Sequence, residues 1–412
     1  MPRAHGLHAH RTLRKAIGRA VSDPAVVLAS QRMKRIWAAA GVAALLIALG
    51  TVGWIYSDQI LGPDAPPGKS GQRVLAHTDS TITLASTPKA RRPGHWAISW
   101  PGGFGKIGPL IDVGADRVTT RFTIASGAPP DTTSRLAGFA PDADPRTWLG
   151  IEFENVTIPS RVGPLPAWWI AGRDSTWAIF FHGRAATRAE VLRMLPAYRS
   201  LDLPCLIVAY RNDVGAPQVD GGRFRLGTTE WEDLEDAVRY AKAHGARDVV
   251  VVGCSMGGGI VAQFLRRSSE RSFARGAVLD APALDWNVVL ALAARQRHVP
   301  DAIAELGKWV ASLRSGLNWN ELAQAPHAAA FSTPMLIVHG DEDDVVPISV
   351  SEAFARARPD LVRFQPFAGA GHVEAANVDP EGYAAMITAW LGERGITAPA
   401  PETPARSRSA RR

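Results

Sequence analysis

Residues 249–259 read VVVVGCSMGGG, four valines and a Gly-Cys pair leading to one small hydroxyl, then methionine and three glycines. Within that run Gly253, Cys254, Ser255, Met256 and Gly257 form G-x-S-x-G between a strand-like stretch and the helix-like GGGIVAQFLRR. A serine so placed sits on a sharp strand-to-helix turn that exposes its hydroxyl, and the glycines stand where strand and helix backbones approach too closely for side chains. The turn also aims the first N–H groups of the helix, and its dipole, at negative charge developing nearby. The chemistry this suits is nucleophilic attack. By itself the pentapeptide is equally a structural turn, because a hydroxyl attacks poorly until a base takes its proton, and the base needs an acid to fix its tautomer.

Both partners are expected downstream, in the order serine, acid, histidine. HGDEDDVVP at 339–347 follows the strand-like PMLIVHG, and AGAGH, ending in His372, follows the next strand-like stretch. Each falls just past the C-terminal end of a strand, the edge where open α/β sheets build their sites.

The elements that would hold these residues alternate. From Trp148 onward, WLGIEFENVTIP and LPAWWIAG read as a leading hairpin, followed by the strands TWAIFFHG, LPCLIVAY, VVVVG, AVLDAP, PMLIVHG and VRFQPFAG, with helical stretches between them. This predicts an α/β fold, a mostly parallel central sheet flanked by helices. The clearest helix covers 230–244: Thr229 and Glu232 read as a capping box, Trp231, Leu234, Val238 and Ala241 line one face, and Gly245 ends it. The interval 285–330 is too long for an ordinary connection, and its Ala-rich sequence predicts a helical cap over one edge of the sheet.

The set FFHGR, GCSMGGG, HGDEDDVVP and GAGH resembles the α/β-hydrolase superfamily, especially its membrane-tethered serine hydrolases of the Bem46-like and acyl-peptidase-related kind, over about 148–394. The resemblance implies Ser255 as nucleophile, His372 as base and Asp343 as acid. Asp341 and Asp344 are neighbouring rivals, and Asp280 is the position some relatives use instead. It also implies an oxyanion hole from the backbone N–H of Met256 and of Arg184, the residue after His182-Gly183. An arginine at 184 departs from the small or neutral residue usual there; its side chain either selects anionic substrates or points to solvent. Tyr210-Arg211-Asn212-Asp213 keeps the Tyr-Arg start of a common family loop and loses the glycine pattern that follows. His182 and His339 read as structural, orienting loops through side-chain hydrogen bonds. The implied activity is hydrolysis of carboxylic esters or thioesters, without cofactor or metal. A peptide substrate, or an inactive tethered scaffold, would carry the same motifs.

Composition bounds the rest. The chain has 412 residues, 46% of them hydrophobic and 21% charged, enough for a sizeable core and more than one folding unit. Its net charge of +7 lies at the ends: residues 1–36 carry +7 and the tail from 397 carries +3, leaving −3 between them. A nucleic-acid groove in the folded part is therefore not expected. Residues 36–57 carry no charge, with Trp37 at one end and Trp54 and Tyr56 at the other, and basic residues cluster only on the N-terminal side. This predicts a transmembrane helix with a cytoplasmic N-terminus and an extracytoplasmic catalytic domain, with a cleaved signal peptide as the alternative. The expected division is a basic cytoplasmic tail at 1–35, the span at 36–57, a linker and β-rich membrane-proximal region at 58–147, the hydrolase domain at 148–395 and a disordered tail at 396–412. The implied partners are the membrane and a small-molecule or lipid-derived acyl substrate.

Three further signals are weak. Cys205 and Cys254 fall in apolar runs and read as buried small hydrophobes. HGLHAH near the N-terminus could touch a metal only as histidines in a basic tail. GGFGKIG at 102–108 satisfies G-x-G-x-x-G, but no convincing helix follows, so a plain glycine-rich turn is expected.

Overall fold

The computed structural model describes residues 24–62, 71–131 and 133–397. The HGLHAH histidines, the basic residues before 24, most of the Pro- and Gly-rich stretch and the tail from 398 lie outside the described residues.

Side-chain alternation divides the core of the sheet domain into two layers. In the strand β9 (Thr176–Phe181), Trp177, Ile179 and Phe181 join one apolar cluster, while Ala178 and Phe180 join another on the opposite face. The strands β10 (Cys205–Val208) and β11 (Asp248–Cys254) divide in the same way. Both faces are covered, so these strands read as unbroken apolar runs. With β7 (Glu154–Ile158), β8 (Leu165–Ile170), β12 (Ala274–Asp280), β13 (Met335–Gly340) and β14 (Val362–Phe367) they form one eight-stranded sheet, ordered β14-β13-β12-β11-β9-β10-β8-β7. The pairs β7·β8 and β8·β10 are antiparallel, and all others are parallel. The C-terminal ends of β11, β13 and β14 therefore share one edge.

Numbering the helices of two turns or more, α1 is Pro24–Leu61, α2 is Trp231–Ala243, α3 is Met256–Arg267, α4 is Trp286–Gln296, α5 is Asp301–Ser315, α6 is Ile348–Ala357 and α7 is Pro380–Gly392. The capping box expected at the start of α2 is not formed. The cap position is Glu230, without a side-chain cap bond. Its carboxylate turns back instead to accept from Arg225 N–H at 2.6 Å and Gly227 N–H at 2.9 Å, bracing the loop before the helix. On the first turn of α2 the buried Asp233 accepts from the Arg211 guanidinium at 2.7 Å and from its backbone N–H at 2.8 Å. Asp233→Ala leaves that buried guanidinium without its main partner and is expected to destabilise the fold by about 3–5 kcal/mol, read as a lower urea midpoint.

Before the sheet, β1 (Gln72–His77), β2 (Thr81–Ala85), β3 (Trp96–Trp100), β4 (Gly103–Val113), β5 (Arg117–Ser126) and β6 (Thr133–Ala137) close into a six-stranded barrel, ordered β1-β2-β5-β4-β3-β6, with β6 pairing back onto β1. Ile82, Leu84, Trp96, Ile98, Val118 and Phe122 fill its interior. Gly102 turns the chain into β4 with φ 81°, but Gly103, Gly105 and Gly108 of the motif lie along the strand rather than in the turn expected from sequence. They are needed there for space: a Cβ on Gly103 would sit 2.7 Å from Ser126 O, and one on Gly105 would press on Thr123 O.

Among the described residues one helix is long and apolar enough to cross a membrane, Val27–Leu61, with a mean hydropathy of 2.0. Helix α1 starts before the expected span and runs past it, so residues 58–61 are helix rather than linker. Its last turns are built into the domain that carries the eight-stranded sheet. Ser57 and Leu61 are buried, and Phe224 N–H donates to Leu61 O at 2.8 Å. Arg314 of α5 donates to Ser57 Oγ at 2.7 Å, pairs with Asp58 at 2.6 Å and lies 3.7 Å over the Trp54 ring. The helices meet at glycine: a Cβ on Gly53 would lie 2.7 Å from Val310, and one on Gly307 would lie 2.7 Å from Tyr56.

Candidate active site

Ser255 ends β11 and opens α3 with φ 52° and ψ −121°, a left-handed backbone that a non-glycine residue holds at a cost of about 1–3 kcal/mol. Its neighbours make the turn possible. A Cβ on Gly253 would meet the carbonyl of Gly257, and one on Gly257 would meet the carbonyls of Phe181 and His182. The strain presents Ser255 Oγ to His372, whose Nε2 stands 2.9 Å away. His372 Nδ1 stands 2.8 Å from Asp343 Oδ2. Serine, histidine and carboxylate thus form one hydrogen-bonded line, assembled from loops after β11, β14 and β13.

Asp343 is held by three hydrogen-bond donors, with His339 close beside it. Its Oδ1 accepts from the N–H groups of Val345 at 2.8 Å and Val346 at 2.9 Å, and its Oδ2 faces His372 and, at 3.1 Å, His339 Nε2. Burial would raise its pKa, but the hydrogen bonds from His339 and His372 outweigh it and hold the carboxyl well below the ordinary carboxylate range. His339 is itself fixed: Nε2 lies 2.9 Å from Val346 O, and Nδ1 lies 2.7 Å from Ser351 Oγ. Tight approach of the acid and histidine loops explains Gly340, where a Cβ would strike Ala370 O.

Asp280, the rival acid, stands apart. It is fully buried, and neither of its oxygens has a hydrogen-bond partner among the described residues. Burial pushes its carboxyl up to about 6. The Tyr383 hydroxyl acts on it electrostatically but, by ordinary geometry, makes no hydrogen bond. A folded pKa above the unfolded one means a stability cost that is present above pH 6 and gone below about pH 4. Between pH 4 and pH 8 the stability of Asp280→Asn relative to the parent is therefore expected to improve by about 1–3 kcal/mol, measured by urea unfolding at the two pH values. The other rivals are also accounted for: Asp341 accepts from Gly369 N–H at 2.8 Å, and Asp344 is exposed beside the cavity.

The loop after β9 lies directly over the serine, since a Cβ on Gly183 would be 3.1 Å from Ser255 Cβ. Arg184 lines the cavity there together with Ser255 and His372. Its side chain takes neither of the roles considered from sequence. The guanidinium donates to Gln59 O at 3.1 Å and Gly62 O at 2.6 Å, at the C-terminal end of α1, where carbonyls lack intrahelical partners and the dipole favours a cation. Met256 is buried at the first position of α3.

Three supports lie behind this loop. His182 has Gly183 O at 2.9 Å from Nδ1 and Asp213 Oδ2 at 2.5 Å from Nε2. Burial lowers the His182 pKa, but the Asp213 carboxylate more than restores it. Tyr210 Oη donates to Gly183 O at 3.0 Å. Buried Glu190 accepts from Gly183 N–H at 2.6 Å and lies 3.2 Å from Cys254 Sγ. Both cysteines are free and buried, and burial pushes the Cys205 thiol up to about 12.

Residues 212–394 match the prolyl oligopeptidase family, a stretch that contains Ser255, Asp343 and His372 and begins after the Gly183 loop. Among solved structures, the chain is similar to an esterase from Pyrococcus furiosus in two crystal forms. One is 18% identical, covering 61% of this chain and 96% of the esterase, and the other 19% identical, covering 62% and 95%; both have a TM-score of 0.50. The domain has the α/β-hydrolase fold. An esterase of Thermogutta terrifontis solved with butyrate is more distant, 20% identical over 61% of this chain and 97% of its own, with a TM-score of 0.46. Residues 73–136, in the barrel that precedes this domain, match a family described as a domain of unknown function, DUF8805. No curated protein matches the chain significantly.

The sequence motifs supplied the residues in this hydrogen-bonded line. They did not reveal Glu190, whose segment RAATRAEVLR carries no pattern for it, nor the part that α1 takes in the cavity wall. A signal for the latter was present in Gly53, which interrupts the apolar run where another helix packs against it.

Proposed function

We propose that the protein is a membrane-anchored serine hydrolase that cleaves carboxylic ester or thioester bonds. Ser255 Oγ attacks the acyl carbonyl as His372 Nε2 takes its proton, and Asp343 holds the resulting imidazolium. The N–H groups of Met256 and Arg184 receive the oxyanion. Collapse expels the alcohol or thiol with the proton from His372. Water, deprotonated by the same ring, then releases the acid and restores the serine. The observation that carries this reading is the 2.9 Å and 2.8 Å line from Ser255 through His372 to Asp343 at the wall of a cavity of about 880 Å³. The length and apolarity of α1 support single-pass anchoring, and the basic residues on its N-terminal side support a cytoplasmic N-terminus with the catalytic domain outside.

Exposure of the detergent-solubilised protein to a fluorophosphonate probe, followed by peptide mapping, tests it. Label on Ser255 that disappears after heat denaturation is the expected result; a folded sample that takes no label would sink the enzymatic reading.

One observation favours a peptide substrate instead. The family match is to the prolyl oligopeptidases, and Asp301, Glu305 and Asp344 line the cavity, where carboxylates could hold a peptide amine. The apolar part of the same lining, with Trp286, Val289 and Leu290, favours an acyl chain. Parallel assays on acyl esters and on peptides with a free amine separate the two.

A further inference from the structure

The cavity over Ser255 is not enclosed by the hydrolase domain alone. Tyr56, Gln59 and Ile60, from the last turns of α1, form part of its wall, beside the cap helices α4 and α5. They are held there firmly by the glycine contacts at Gly53 and Gly307, the Arg314 pair with Asp58, the Arg184 bonds to Gln59 O and Gly62 O, and the burial of Leu61.

The uncharged run 36–57 is about 33 Å long as helix at 1.5 Å per residue, close to the ~30 Å of a bilayer's hydrocarbon core. With that run in the membrane, Tyr56 stands at the lipid surface and Ile60 about one turn, ~5 Å, beyond it. The cavity therefore begins where the bilayer ends. The cap shares this level: Arg314 of α5 rests on Trp54, and Trp309 and Leu313 on the outer side of α5 are 60% and 66% exposed. Tryptophan is the side chain most at home at a membrane interface.

We infer that Tyr56, Gln59 and Ile60 are acyl-pocket residues and that the substrate is a long-chain acyl ester resident in the bilayer, taken in beside the anchor helix. This rests on the membrane-anchored serine hydrolase reading above. A soluble ester would reach the serine without regard to the lipid phase. A bilayer ester instead meets a pocket whose wall is continuous with the membrane helix, so its chain passes from lipid into protein without crossing water.

The full chain is reconstituted in phosphatidylcholine vesicles and assayed on p-nitrophenyl palmitate in the bilayer and p-nitrophenyl butyrate in water. Ile60→Trp, which fills the pocket, is expected to lower the palmitate-to-butyrate turnover ratio by about tenfold, and Ile60→Ala to hold or raise it. Adding empty vesicle lipid at constant bulk palmitate ester should slow its hydrolysis in proportion to its mole fraction in the membrane. A ratio that Ile60→Trp leaves within about twofold, or a palmitate rate that follows bulk concentration, overturns the inference. Flotation with the vesicles and probe labelling of Ser255, run on each variant, separate the layers. Loss of either in the parent protein is a failure of the underlying reading and takes the inference with it. Retention of both with an unmoved ratio overturns the inference alone.

Discussion

Ser255→Ala is expected to lower turnover of any acyl substrate by about 10⁶ while leaving the fold in place. The change removes one oxygen, the atom 2.9 Å from His372 Nε2, and adds nothing that must be packed. Alanine meets the same left-handed backbone at φ 52° that serine already adopts there, so the turn carries no new strain. His372 keeps its bond to Asp343, and the N–H groups around the site stay where they are, so a residual rate of about 10³–10⁴ over water survives from binding and oxyanion stabilisation. Steady-state kinetics on a p-nitrophenyl ester give the loss, and thermal unfolding gives the control. A variant retaining more than about a hundredth of parental kcat with an unchanged melting temperature would mean that another group is the nucleophile.

That this serine could be singled out from sequence reflects how local its requirements are. Gly253 and Gly257 are fixed by backbone approach within a few residues, and four valines announce a strand buried on both faces. Strand ends at 340 and 367 then placed a carboxylate loop and a histidine loop on the same edge. The α/β architecture was legible for the same reason, since a parallel sheet writes itself as apolar runs separated by helical periods.

What escaped was long-range. Closure of β1 onto β6 joins residues about sixty apart, and alternation within either strand does not name its partner. The capping box at Thr229 failed because the competing acceptor, Glu230, was drawn back to Arg225 and Gly227 by a loop whose path is set by tertiary packing. The Arg184 side chain was read as a local choice between solvent and substrate, yet its partners Gln59 and Gly62 lie more than a hundred and twenty residues earlier. A span treated as a tether concealed the same fact from the other side: the end of α1 is a structural part of the pocket.

Asp343→Asn is expected to lower kcat by about 10⁴, and Asp280→Asn to leave it within a few-fold. The first substitution keeps the shape and inverts one bond. The new amide can still accept from Val345 and Val346 through its carbonyl oxygen, but it then presents an N–H, not an acceptor, to His372 Nδ1. The ring answers by moving its proton to Nε2, the nitrogen that must be bare to deprotonate Ser255. The tautomer is wrong and the imidazolium has lost its counter-charge, although no atom has moved far. Asp280 has no such leverage. Its carboxyl bonds to neither histidine, and its link to the site is the backbone carbonyl that accepts from Ser255 N–H at 3.0 Å, which asparagine keeps. Asp343 is held ionised well below the ordinary range by its hydrogen bonds and the neighbouring histidines, so the effect of Asp343→Asn should be flat across the assayable pH range rather than appear only at high pH. Kinetics of both variants from pH 5 to pH 9 decide the matter: a severe Asp280→Asn beside a nearly silent Asp343→Asn would move the acid to Asp280 and require the His372 ring to turn away from the carboxylate it now faces at 2.8 Å.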